Sequence, residues 1–150
     1  MRTSLCHALF AVALCASVTV ALAAKSQQTH DHPPEGGAHH HPAAARIQNA
    51  VPPSAASIAA GQVLFQTQCA GCHGDTGAGD GAMGEELNPK PSNLTDTDWK
   101  HGSTDGEIFT VIRDGVKSTG MKAFGRKMTT HQLWDVVNYI HSLRPKTGTP

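Results

Sequence analysis

An excess of charge of either sign is missing from this 150-residue chain: twelve Lys and Arg side chains face twelve Asp and Glu, and the formal net charge at pH 7 is zero. Without a basic surplus there is no footprint for nucleic acid, and none for an anionic membrane surface. Internal repeats are absent. So is sustained apolar/polar alternation, which leaves no half-buried strands to predict. Cysteine is scarce: of the four, Cys6 and Cys15 fall in the first 23 residues, and only Cys69 and Cys72 lie beyond. A single close pair cannot build the disulfide framework usual in small exported domains.

The first 23 residues have the pattern of a leader. Arg2 supplies a positive start, residues 5–22 are nearly all apolar, and Ala21-Leu22-Ala23 is a small-x-small cleavage pattern. Residues 1–23 are therefore expected to be a signal peptide that sends the chain to the periplasm. The other reading is an uncleaved anchor, since the apolar run approaches the ~18–20 residues that span a bilayer. Residues 24–56 are rich in Pro, Ala, Gly and His with few large apolar side chains. Such a stretch buries too little to offset its ordering entropy, so it is expected to be a disordered linker. It also holds His30, His32, His39, His40 and His41. Neutral imidazoles suit copper, nickel or zinc, so these five are candidate metal ligands. The plainer reading is a polar tether.

The remaining residues, 57–150, are expected to form one small all-α domain. A helix over 57–68 puts Ile58, Gly61, Leu64 and Phe65 on one face. A second opens at Thr104, with Glu107 three residues on as a capping box, and stops at Gly115. A third opens at Thr129 with Gln132 as its partner, carries Leu133, Val136, Val137 and Ile140, and ends before Pro145. Residues 74–93 are Gly- and Pro-rich loop with one short turn near Glu85. A core this small is marginal unless something helps to fill it.

Residues 69–73 read C-A-G-C-H. Structural zinc wants four ligands, and none of His101, His131 or His141 stands at finger spacing from this pair. A thioredoxin-like redox pair sits in a βαβ setting, and no strand is visible. The third reading is covalent haem attachment: two sulfurs add to the vinyl groups on one porphyrin edge, and the following His73 falls under the iron.

The surroundings agree with the third reading. G-Q-V-L-F (61–65), C-A-G-C-H-G-D-T-G-A-G-D-G (69–81), G-M-K-A-F-G (120–125) and L-W-D-V-V-N-Y-I-H-S-L (133–143) occur in the order of the class I, single-haem cytochrome c family. The chain resembles that family over residues 57–143. The resemblance implies one haem c held by Cys69 and Cys72, with His73 and Met121 as axial iron ligands. It implies a close helix crossing at Gly61, Tyr139 packed on the first helix, and a proline carbonyl that orients His73. For that carbonyl Pro91 is preferred to Pro89. Met83 lies too near His73 to cross to the opposite haem face, and Met128 sits at the last helix. His101 is the rival to Met121 and would give a lower potential. Lys122 stands where the family more often has proline.

Donors to the haem propionates are sought at Trp99, Lys100, His101 and Arg113. Lys117, Lys122, Arg126 and Lys127 surround Met121 with few acids nearby, a rim that would steer an acidic redox partner. The expected function is one-electron transfer between partner proteins by a protein that is not itself an enzyme. Two alternatives are kept: an electron-accepting subunit of a dehydrogenase or a haem enzyme or sensor with an open sixth position, and a His-rich copper-binding protein with a haem domain. G-D-G-A-M-G (79–84) matches a nucleotide-loop pattern but follows no strand. Asp75 and Asp80 do not meet the EF-hand pattern.

Overall fold

A computed structural model describes residues 41–145. Its elements are a 3-10 turn at Ala44–Arg46, α1 at Ala55–Gln68, α2 at Ala70–His73, a second 3-10 turn at Ala82–Gly84, α3 at Asp105–Asp114 and α4 at Thr130–Leu143. No strand occurs among the described residues, and the class is all-α. The leader, His30, His32, His39 and His40 lie outside the described residues.

Both expected capping boxes form. Thr104 accepts from the Glu107 N–H while the Glu107 carboxylate accepts from the Thr104 N–H at 3.2 Å. Thr129 and Gln132 do the same for α4. Gly115 stops α3 at φ 70°, and α4 ends one residue before Arg144-Pro145. α1 starts two residues earlier than its apolar pattern predicts, because Ser54 Oγ accepts from Ser57 N–H at 3.1 Å.

The most extensive contact is α1 against α4. Gly61 makes it close: a carbon added there would run into the Asp135 carbonyl and lie 2.9 Å from Tyr139 Cβ. One turn on, Phe65 is fully buried with its ring centroid 5.2 Å from that of Tyr139. On the other side of α4, Trp134 stacks on Phe109 of α3 at 4.1 Å. Enclosed between them, α4 is buried from Leu133 to Ile140, including Asp135 and Asn138.

Those two polar residues correct the expected linker boundary. Ser57 Oγ donates to Asp135 Oδ1 at 2.6 Å and accepts from Asn138 Nδ2 at 2.8 Å. Asn138 also accepts from Asn49 Nδ2 at 2.8 Å and donates to the Val51 carbonyl at 3.0 Å. Ala44 is buried beside Gly106 of α3, where an added carbon would meet Ile47 Cβ at 2.8 Å. Residues 41–56 are thus packed on the helices rather than disordered. They need few large apolar side chains because hydrogen bonds to buried partners in α4 hold them.

Candidate functional site

α1 ends at a kink. Cys69 leaves helical geometry at φ −120°, and the chain then makes the single turn of α2. His73 N–H closes that turn on the Cys69 carbonyl at 2.9 Å. Gly74 (φ 78°) reverses the chain where a side chain would collide with Asp80. The glycine loop folds back beneath the turn, with Gly79 N–H donating to the His73 carbonyl at 2.7 Å. This places Cys69, Cys72 and His73 on one wall of a cavity of about 390 Å³.

The rest of its lining includes Ile108, Val111 and Ile112 of α3, Val136 and Ile140 of α4, and the irregular segment carrying Met121. Met121 is half-buried. Lys100 and His101 line the same cavity, so the structure brings both the expected methionine and its rival to it. Met83 reaches the edge of the cavity but is 74% exposed, and Met128 is buried in the helical core.

His73 Nδ1 lies 3.0 Å from the Ser92 carbonyl. Burial pushes the imidazole below the usual histidine range, and the bond to Ser92 opposes this in part. A neutral ring that donates from Nδ1 leaves the Nε2 lone pair for a metal. The acceptor is Ser92 and not the expected Pro91: the Pro91 carbonyl lies by Gly79 instead, 2.7 Å from where a side-chain carbon there would sit. Cys69 and Cys72 are free thiols, and burial, with Cys72 beside it, pushes Cys69 up to about 11.

Two expected propionate donors are occupied elsewhere. Trp99 lines the cavity, but its indole N–H donates to the Asp96 carbonyl at 2.8 Å. Arg113 does not line the cavity; its guanidinium holds Asp114 through two bonds of 2.7 and 2.6 Å. The neighbouring carboxylate captures it at lower entropic cost than a distant group would. Sequence reasoning missed Arg144, whose guanidinium lies 5.1 Å over the Trp99 ring. A cation just past the end of α4 was the only available signal.

Zinc finds no ligand cage among the described residues: His101 lines the cavity but does not gather with Cys69, Cys72 and His73 closely enough to complete one. His131 Nδ1 lies 3.1 Å from Asp135 and His141 Nε2 2.8 Å from Asp105. Among the described residues, no three His, Cys, Asp or Glu side chains gather closely enough to hold a metal ion. His41, the one described residue of the histidine tract, is half-buried and donates its backbone N–H to Glu107 at 3.3 Å. A porphyrin asks for something different from a metal cage: an apolar slot lined by a pair of unpaired thiols and by single donors such as an imidazole and a thioether. The residues present fit that group.

The family model of cytochrome c oxidase, cbb3-type, subunit III matches residues 56–140, from the start of α1 into the last turn of α4. The chain belongs to this family. It is a c-type cytochrome domain of the class I kind, and the family binds haem c covalently. A cbb3-type cytochrome c oxidase subunit CcoP from Azospirillum sp. (strain B510) is 33% identical over 104 residues, covering 61% of this chain and 32% of that protein. The CcoP subunit of Cereibacter sphaeroides is 34% identical over 92 residues, covering 59% of this chain and 28% of that protein. The chain thus spans about a third of the length of the curated relatives it matches. Among solved structures, the Kuenenia stuttgartiensis reducing HAO-like protein complex aligns with a TM-score of 0.59 at 25% identity, over 65% of this chain and 49% of that one. Among the described residues, no helix is long and apolar enough to cross a membrane.

Proposed function

We propose that the chain is an exported, single-haem electron carrier. One observation carries the reading: Cys69, Cys72, His73 and Met121 all line the same largely apolar cavity. Cys69 and Cys72 would hold the porphyrin edge through thioethers, and His73 and Met121 would ligate the iron. A bound haem supplies an iron that alternates between ferrous and ferric and so carries one electron. The chain's own residues do the rest. Ser92 fixes the His73 ring and raises its basicity as a ligand. Ile108, Ile112, Val136 and Ile140 exclude water, which keeps the site in low dielectric. Met121 favours the reduced state relative to a histidine in its place. Lys122 and Lys127 stand exposed at the mouth, with Lys117 and Arg126 beside them, where they would draw an acidic partner.

The likeness to oxidase subunits favours a second, compatible reading. The domain passes electrons as the haem subunit of a larger oxidoreductase rather than as a free shuttle.

The test is optical. Holoprotein made with the haem-attachment machinery is expected to show the weak charge-transfer band of ferric iron bound to methionine sulfur. Met121→Ala is expected to abolish it, while His101→Ala leaves it unchanged. A wild-type protein that lacks the band and binds carbon monoxide when reduced would have an open sixth position, and the carrier reading would give way to peroxidase or sensor chemistry.

A further inference from the structure

The mouth of the cavity is not uniformly basic. Two segments meet there: a carbon added at Gly120 would lie 2.5 Å from Leu87 Cδ1 and 2.9 Å from Cδ2, so Leu87 rests directly on Gly120. Met83 stands 74% exposed on one side of this contact, and half-buried Met121 follows Gly120 on the other. All three apolar side chains border the cavity.

Charge differs between these two segments, while Asp98 and Lys100, also exposed in the cavity lining, offset each other. On the Leu87 side, Glu85 and Glu86 are exposed and share a surface groove with Asp80. Lys90 lines that groove too and is the one cation there. On the Gly120 side, Lys117, Lys122 and Lys127 are exposed, and residues 115–128 contain no acid. Arg113 and Asp114 cancel each other. Among the described residues no ion pair is seen between the two flanks.

A patch with an apolar centre, an acidic flank and a basic flank is complementary to itself under a two-fold rotation. The acid of one copy then meets the base of the other. Acids and bases nearly balance along the chain, twelve of each over its full length, so little overall repulsion opposes two copies. We propose that the haem-cavity mouth docks transiently on the mouth of a second copy of this chain, Glu85 and Glu86 against Lys117 and Lys122, with Met83 and Leu87 at the centre. The patch is small, so the contact is short-lived. It brings two cavities together, and one electron leaves a ferrous copy as the ferric copy gains it, with no other reagent. This step rests on the carrier reading above; the docking itself does not.

The experiment uses full-length holoprotein. Amide shifts of the reduced protein are followed against concentration at low and high salt. Self-exchange is measured by line broadening in mixtures of reduced and oxidised protein. The expected result is concentration-dependent shifts confined to residues 83–87 and 117–122, lost at high salt. Self-exchange should slow by roughly fivefold or more between about 10 mM and 500 mM salt, because opposite charges attract the copies and salt screens them. The double variant Glu85→Lys, Glu86→Lys turns the acidic flank basic. It should lose the concentration-dependent shifts, and its self-exchange should speed up with salt. Shifts that are absent or lie elsewhere, a parent rate that is flat or rises with salt, or a variant that behaves like the parent would each overturn the proposal. If the parent cannot be reduced by dithionite, the carrier reading fails, and the same amide titration run on the protein as isolated still decides the docking.

Discussion

Between α1 and α4 the chain closes on itself. Gly61 admits the Asp135 carbonyl, Phe65 meets Tyr139, and Ser57, Asp135 and Asn138 satisfy one another's hydrogen bonds. Around the cavity the chain closes on a space. The walls come from α2, α3, α4 and two irregular segments, and they enclose a void of about 390 Å³. The two regions share α4, since Val136 and Ile140 line the cavity while Asp135 and Tyr139 face α1. One helix thus links a self-sufficient contact to one completed by a cofactor.

The largest break in this comparison is removal of the cofactor. A void of about 390 Å³ at ~24 cal/mol per Å³ costs about 9 kcal/mol. Water entering through the mouth lowers that figure, yet it is comparable with the ~5–15 kcal/mol that holds a whole domain. Protein made without haem attachment is therefore expected to lose the cooperative fold. Far-UV circular dichroism and a thermal scan check this: a native-like spectrum with a sharp melt would show that the α1–α4 contact suffices alone.

Gly61→Leu attacks the other side. The side chain has no room against the Asp135 carbonyl, and the clash is with backbone rather than a flexible tip. Overpacking of this kind costs ~1–3 kcal/mol where side chains can yield, and about 3 kcal/mol or more is expected where backbone must move. The denaturation midpoint of the holoprotein measures the loss. If the haem spectrum persists while the midpoint falls, the two regions are separable.

What the sequence disclosed follows the same division. Features written in side-chain identity and spacing were legible: two capping boxes, C-x-x-C-H, and the all-α pattern. Features written in backbone position were not. The acceptor for His73 is a carbonyl, which every residue has, so only the path of the loop chooses Ser92 over Pro91. Trp99 looked like a donor to the cofactor until the Asp96 carbonyl was seen beside its N–H. Residues 41–56 looked like a tether because their composition is poor in large apolar groups. Their order comes from Asn49 and the Val51 carbonyl meeting Asn138, some 87 to 89 positions away. The nearer clue was Ser54, three residues before Ser57 and able to cap α1 earlier than its apolar stripe begins.

Ser57→Ala tests that long-range attachment. It removes a donor to buried Asp135 and an acceptor for Asn138, which is expected to cost about 2 kcal/mol. Faster amide exchange should appear at residues 49–54 before it appears near the cavity. Exchange that rises first around Met121 would mean that the two regions are coupled through α4 rather than independent.

The smallest effects come from the two capping boxes, which look equivalent in sequence. Glu107 is 3% exposed and accepts from Thr104 N–H, Thr104 Oγ1 at 2.7 Å and His41 N–H. It also carries a negative charge in the first turn of α3, where the helix dipole favours one. The Gln132 side chain accepts from the Thr129 N–H in an exposed setting, where water can take its place. Glu107→Ala is therefore expected to cost about 2 kcal/mol, and Gln132→Ala about 0.5 kcal/mol. Paired urea titrations of the holoproteins decide it. Equal losses would mean that burial adds nothing to a cap, and that the N-terminal segment gains no hold on the cavity side through Glu107.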